Sequence, residues 1–135
     1  MSYALFLDDI RTPLSTKHVQ LPLYDWVIVK SFKEFVKKIS EKGLPYYITF
    51  DHDLGAEHYP KNHDEMSLNH KINYDNMKEK SGYHCAIWLT EYCMDKKLPL
   101  PKFQVHSMNP AGKQNIIQLL NRFKEIQEEQ NGSKS

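Results

Sequence analysis

The sequence is poor in cysteine and glycine and carries no excess of either charge. Its 135 residues hold two Cys, five Gly, and 18 Lys and Arg against 17 Asp and Glu, a formal net charge of +1 with histidine neutral. Two cysteines are too few for a disulfide-stapled scaffold. Cys85 and Cys93 stand eight residues apart in an expected helix, which separates them by about 12 Å at roughly 1.5 Å per residue, beyond disulfide reach. They are expected as small core residues in a reducing compartment. Near-neutral charge excludes the surplus of Lys and Arg on which a general nucleic-acid or membrane-surface binder depends. A small substrate, or one recognised at its end, remains open. No apolar run approaches the roughly 20 residues that cross a bilayer, and Met1-Ser2-Tyr3-Ala4 has neither a basic n-region nor an apolar core. No membrane attachment is expected, and the expected compartment is the cytoplasm. There is no internal repeat. The length predicts a single domain over residues 1–130, with 131–135 as a mobile tail.

What is present is a series of short apolar runs: Tyr3-Ala4-Leu5-Phe6-Leu7, Trp26-Val27-Ile28-Val29-Lys30, Tyr46-Tyr47-Ile48-Thr49-Phe50 and Phe103-Gln104-Val105. Such runs read as strands of a parallel sheet. Ser31-Phe32-Lys33-Glu34 has the capping-box pattern, Phe32, Phe35, Val36 and Ile39 recur at helical spacing, and Gly43-Leu44-Pro45 ends that helix. Ser81-Gly82 opens a second helix, with Cys85 or Ala86, Leu89, and Tyr92 or Cys93 on one side, and Leu98-Pro99-Leu100-Pro101 stops it. Asn109-Pro110 supplies the N-cap and first residue of a third, which carries Ile116, Leu119, Leu120, Phe123 and Gln127 along one side and is expected to fray from Glu128. The connection from Ile10 to Asp25 has no sustained helical period and is expected as a loop with at most one short helical turn. Residues 55–80 read as a polar insertion, partly ordered at best, serving as a lid, a binding loop or a disordered segment. Crossover helices force parallel strands. The expected fold is a compact doubly wound α/β domain, flavodoxin-like, with a four-stranded parallel sheet in the order 2-1-3-4.

Ionisable side chains stand at the ends of these runs. Asp8-Asp9-Ile10-Arg11 follows the first, Asp51-His52-Asp53-Leu54 the third and His106-Ser107-Met108-Asn109 the fourth. Ligands of open α/β sheets bind at the carboxyl edge of the strands, where the winding reverses, so three polar strand ends are expected to form one site. Two adjacent aspartates with a third across the crevice make a hard-oxygen pocket suited to Mg²⁺ or Mn²⁺. The alternative is that these aspartates are turn formers bonding their own backbone. His52 and His106 fall at the tips of neighbouring strands, where two imidazoles are expected to converge on a reacting phosphorus and move protons near neutral pH. Either histidine alone would read as structural. His18, His58, His63, His70 and His84 have no such setting and are expected at the surface. Arg11 offers a planar fork for phosphate, or an ordinary loop ion pair. Ser107, Asn109 and the helix start at Pro110-Ala111-Gly112-Lys113 form an anion site by geometry, or Asn109 simply caps the helix.

Taken jointly and in order, Leu-Phe-Leu-Asp-Asp-Ile-Arg-Thr-Pro (5–13), Phe-Asp-His-Asp-Leu-Gly (50–55), Ser-Gly-Tyr-His-Cys (81–85) and Val-His-Ser-Met-Asn-Pro-Ala-Gly (105–112) resemble the cyclic-phosphate processing receiver-domain family, a divergent relative of response-regulator receivers. The resemblance covers nearly the whole chain. It implies a receiver-like fold, with Asp8 and Asp9 as the metal-binding acidic pair and Asp51 at the phospho-acceptor position, and it marks His52, Asp53, His106, Ser107 and Asn109 as the family's own additions. No fifth strand follows residue 109, so the lysine that closes a receiver's phosphorylation site is missing, and a histidine follows Asp51. Both departures favour hydrolysis over signalling. The expected activity is a phosphoesterase that opens a cyclic nucleotide or a 2′,3′-cyclic phosphate at an RNA end. In that reading Asp8, Asp9 and Asp51 hold a divalent ion, Asp53 joins them or orients a histidine, His52 and His106 divide the proton transfers, and Arg11, Ser107 and Asn109 receive the phosphate. Two readings from other classes stand beside it: a receiver-like switch phosphorylated on Asp51, and a non-catalytic cyclic-nucleotide sensor.

Overall fold

The computed structural model describes residues 3–132. Of the tail assigned to 131–135, residues 133–135 lie outside the described residues, and 131 and 132 close the last helix rather than leave it. Four strands, β1 (Ala4–Leu7), β2 (Trp26–Val29), β3 (Tyr47–Phe50) and β4 (Lys102–Val105), form one parallel sheet in the order β2-β1-β3-β4. Three helices, α1 (Phe32–Lys42), α2 (Gly82–Lys96) and α3 (Pro110–Gly132), complete the α/β fold. Strand order and helix positions are those read from the sequence. Helix α3 continues through the polar stretch where fraying was expected.

The helix starts follow from their caps. Ser31 Oγ accepts from Glu34 N–H at 3.1 Å, but Glu34 reaches back to Lys30 N–H at 3.2 Å and not to the serine, so only half of the expected box forms. The complete box lies at α2, where Ser81 Oγ accepts from the helix backbone and His84 Nδ1 accepts from Ser81 N–H at 2.9 Å. His84 is therefore a capping residue and not merely a surface one. At α3, Asn109 Oδ1 accepts from Gly112 N–H at 3.0 Å.

Alternation along the strands divides the sheet into two faces. Leu5, Leu7, Val29, Ile48, Phe50 and Val105 share one core cluster with residues of all three helices, among them Phe35, Ile39, Leu89, Ile116 and Leu120. Each fully buried Leu, Ile or Phe contributes about 1.5–3 kcal/mol, and these side chains hold the helices to one side. The other face, bearing Phe6, Trp26, Tyr47 and Thr49, has no helix over it among the described residues. Where a doubly wound sheet would carry a helix between β1 and β2, this chain has the loop 10–25. That loop is tied down by Gln104 Nε2 donating to Gln20 O at 3.1 Å and by a hydrogen bond between the His18 ring and the His106 carbonyl. Tyr24 at the end of the loop packs against Trp26 and Tyr47 of the sheet, with the three ring centroids 5.5 to 5.9 Å apart.

The insertion 55–80 is more structured than its composition predicts. It contains two 3₁₀ turns, Ala56–His58 and Tyr74–Asn76. His58, expected at the surface, is buried and fastens the segment at both ends: Leu54 N–H donates to its Nδ1 at 2.9 Å, and its Nε2 pairs with Glu79 O at 2.8 Å. The Glu57 carboxylate accepts the N–H groups of Lys78 and Glu79 at 3.2 and 2.8 Å. The segment thereby closes into a flap over the carboxyl edge of the sheet.

Candidate functional site

The ladder of the sheet continues one residue beyond its strands. Asp8 N–H donates to Val29 O at 3.0 Å, Asp51 N–H to Leu7 O at 2.9 Å, and His106 N–H to Phe50 O at 2.9 Å. Asp8, Asp51 and His106 are thus pinned in one row by the backbone, and alternation turns their side chains away from the helices, to the face of Phe6 and Thr49. The His106 ring accordingly stacks on Phe6, centroids 4.6 Å apart and planes 8° from parallel, and its Nδ1 lies 2.8 Å from Thr49 Oγ1.

Each member of the row is in a different electrostatic condition. Burial alone would raise the pKa of Asp8, but hydrogen bonds outweigh it: His106 Nε2 reaches Oδ2 at 3.0 Å, while Ile10 and Arg11 N–H groups donate to Oδ1 at 2.9 and 2.8 Å. Asp8 is held below the ordinary range and stays ionised. Burial pushes His106 below its ordinary value against the pull of Asp8. The bonds fit a neutral ring in either tautomer: Nε2–H donating to Asp8 with Nδ1 accepting from the Thr49 hydroxyl, or Nδ1–H donating to Thr49 Oγ1, which leaves the Nε2 lone pair beside Asp8 available to a cation. Asp51 is the opposite case. Burial first, then the negative charges of Asp8, Asp53 and Asp9, push its pKa up to about 8, and Arg11 offsets this only in part. Its Oδ2 is the one buried side-chain polar atom without a hydrogen-bond partner among the described residues.

Buried polar atoms are rarely left unpaired, and this one belongs to a residue of a ligand set that would serve a cation. One ligand atom each from Asp8, Asp51 and His106 lies within 4.8 Å of the others, the spread that ligands about 2.0–2.6 Å from a shared ion require. These residues could hold a metal ion. The set differs from the all-carboxylate one expected: Asp8 and Asp51 belong to it, His106 is added, and Asp9 and Asp53 lie outside. Asp9 instead accepts from the Tyr59 hydroxyl of the flap, at 3.1 Å to Oδ1, and its pKa is raised, chiefly by burial.

His52 does not join this row. As the next residue after Asp51 it points to the helix side, fully buried, and both ring nitrogens are taken: Nδ1 lies 2.7 Å from Asp53 Oδ1, and Nε2 2.8 Å from the Tyr74 hydroxyl. Asn115 Nδ2 donates to that hydroxyl at 2.8 Å, and Asn109 Nδ2 donates to Asp53 Oδ1 at 3.0 Å. The expected convergence of two imidazoles is thus replaced by two networks, and His52 and His106 share no bonding partner. Two glycines permit this packing. A Cβ on Gly112 would collide with the His52 ring, and one on Gly82 with the Asp51 carbonyl. Gly82 N–H also donates to His52 O at 2.8 Å.

The expected phosphate ligands are placed unequally. Arg11 stands at the rim, its Nη1 3.6 Å from Asp8 Oδ2 and its Nη2 3.1 Å from Met108 Sδ, with a side chain 28% exposed. It is near the row and accessible. Ser107 Oγ accepts from Asn109 N–H at 3.1 Å, and Asn109 is spent on the α3 cap and Asp53, so both are turned into the protein. Thr49, Tyr59 and Tyr74 were not anticipated. Thr49 had a signal, a hydroxyl inside an apolar strand two residues before Asp51. The tyrosines had none, because they come from the insertion. A cavity of about 270 Å³ lies within the flap, lined by flap residues such as Tyr59, Asn73 and Asn76 and reaching Asn109; Asp8, Asp9, Asp51 and His106 are not on its walls.

Among the described residues no helix is long and apolar enough to cross a membrane. Neither the curated proteins nor the solved structures include a match to the chain. Residues 3–122, which carry every strand, the flap and both networks, match the cyclic-phosphate processing receiver domain, and the chain belongs to that family.

Proposed function

We propose that the protein hydrolyses a cyclic phosphate diester, a cyclic nucleotide or a 2′,3′-cyclic end of RNA, with a divalent cation held at Asp8, Asp51 and His106. The observation that carries this reading is that Asp51, whose buried Oδ2 has no partner among the described residues, offers a ligand atom within 4.8 Å of one from Asp8 and one from His106. Two carboxylates with one imidazole suit Mn²⁺ well and Mg²⁺ less well. A bound cation would supply positive charge to the phosphoryl oxygens and lower the pKa of water.

The chain's own residues account for the rest. Asp8 is kept ionised by its contact with His106 and by the Ile10 and Arg11 amides, while Thr49 and the stacked Phe6 ring fix the orientation of His106. Arg11 presents its guanidinium to the phosphate at the rim. Asp9 lies on the open side with a pKa raised chiefly by burial, against the opposing hydrogen bond from Tyr59, and we assign it to hand a proton to the oxygen that leaves when one P–O bond of the ring breaks. His52 and Asp53 act as positioning residues that hold Asp51 and the start of α3.

Phosphorus NMR of 2′,3′- and 3′,5′-cyclic nucleotides and of cyclic-ended RNA, with Mn²⁺ or EDTA, tests the reading. Ring opening that depends on Mn²⁺ and is lost in Asp51→Asn is the expected result. Failure of every substrate to open, or recovery of unchanged ligand after tight binding, would replace hydrolysis with sensing. A stable phosphoryl adduct on Asp51 after acetyl phosphate treatment would return the protein to the signalling class.

A further inference from the structure

We propose that the free edge of β4 is a docking groove for an extended, acidic peptide segment that adds to the sheet as a fifth strand. The sheet ends at β4. Because His106 N–H bonds to Phe50 O on the β3 side, alternation directs the backbone N–H and C=O groups of Phe103 and Val105 to the open side. An edge of this kind is a template for another strand. Here it is also walled. A groove of about 820 Å³ runs along it, with Leu100 and Phe103 in its floor and one stripe of α3, including Lys113, Ile117 and Lys124, as its far wall. Residues at that spacing lie along one side of a helix.

Charge selects the occupant. Lys102, Lys113 and Lys124 line the groove, no aspartate or glutamate does, and none of the three forms an ion pair among the described residues. Lys102 alone would be an ordinary guard of an exposed edge. The two lysines on α3 stand across the groove from the strand, where they guard no backbone. A second copy of the chain, paired β4 to β4, would bring like charges together, so the arrangement rejects self-association and accepts carboxylates. The apolar floor and open backbone favour a peptide over a nucleic acid.

Binding of the capped peptide Asp-Val-Asp-Val-Asp-Val-Asp, followed by fluorescence anisotropy and amide exchange, tests the proposal. The expected result is slowed exchange at Phe103 and Val105, with affinity falling about tenfold or more when alternate peptide amides are N-methylated, or when Lys113 and Lys124 are both replaced by Glu. The mirror peptide with lysine in place of aspartate should bind only the charge-reversed protein. Equal binding of the N-methylated peptide, tighter binding of a single-stranded oligonucleotide, concentration-dependent dimerisation through β4, or no binding at all would each overturn it.

Discussion

Asp51 concentrates the cost of building this site. Its carboxyl group is buried, three acids lie close, one oxygen has no partner, and its pKa is pushed up to about 8 from 3.8. The folded state therefore holds a proton on Asp51 that the unfolded chain releases. The stability this proton confers is complete below pH 3.8, declines as pH rises, and is gone above about 8. Asp51→Asn cannot ionise. In EDTA the variant should be the more stable protein above neutral pH, by several kcal/mol at roughly 1.4 kcal/mol per unit of pKa difference, as is common when a strained functional residue is neutralised. Urea unfolding from pH 4 upward should show its advantage growing toward pH 8 and then levelling. The comparison between the two proteins isolates Asp51 from His106, whose lowered pKa acts in the opposite sense. An advantage that does not change with pH would show that the carboxyl is already neutralised by some other group. At Thr49, removal of the hydroxyl in Thr49→Val leaves His106 Nδ1 buried without a partner, a loss of about 1–3 kcal/mol readable in the same experiment.

At the scale of elements, the flap, α3 and the end of β3 are joined by one chain of side chains, Asn115 to Tyr74 to His52 to Asp53. Tyr74→Phe keeps the ring stacked on Tyr83, 4.4 Å between centroids, and removes only the hydroxyl. Both His52 Nε2 and the Asn115 amide then lose a partner, and the expected cost is about 1–3 kcal/mol. The signature of a joint between elements is a change in local opening: amide exchange across 70–80 and the first turn of α3 should rise together. If exchange rises in the flap alone, the flap does not hold the helix. The glycine at the third position of α3 is the other half of this joint. In Gly112→Ala the new methyl meets the His52 ring, and overpacking of this kind costs about 1–3 kcal/mol, although alanine is the better helix former. A variant that is instead stabilised would show that His52 has room to move.

For the whole molecule, a cation that binds only the folded protein must stabilise it. At a free concentration about 100 times its Kd, Mn²⁺ should add about 2.7 kcal/mol to unfolding, and the addition should disappear in Asp51→Asn. Calorimetry of binding with thermal melts on the same samples checks both halves. Equal shifts in the two proteins would move the ion away from the row at the strand ends. The one-sided placement of helices gives the molecule its second distinguishing feature. With the loop 10–25 over one face and, among the described residues, no strand beyond β4, two parts of the sheet that a larger α/β domain would cover are closed only by short-range structure or left open.

Much of this protein was legible in its sequence, and the boundary has a physical cause. The strands, the crossover helices, the order 2-1-3-4 and the gathering of Asp8, Asp51 and His106 on one rim follow from apolar runs, caps and turn residues, which act over a few neighbouring positions. What local pattern could not supply was direction and distant partnership. Asp51 and His52 are adjacent in sequence and equally plausible as site residues, yet strand alternation sends one toward the candidate ion site and the other into helix packing against Gly112. His106 enters the ligand set because the ladder aligns it with Asp8, 98 positions away. Tyr59 reaches Asp9 across 50 positions and Tyr74 reaches His52 across 22, contacts that exist only once the insertion has closed over the sheet. The sequence by itself determined which residues would stand at the strand ends; tertiary structure decided which of them face one another, because that choice depends on backbone pairing and side-chain packing summed over the whole chain.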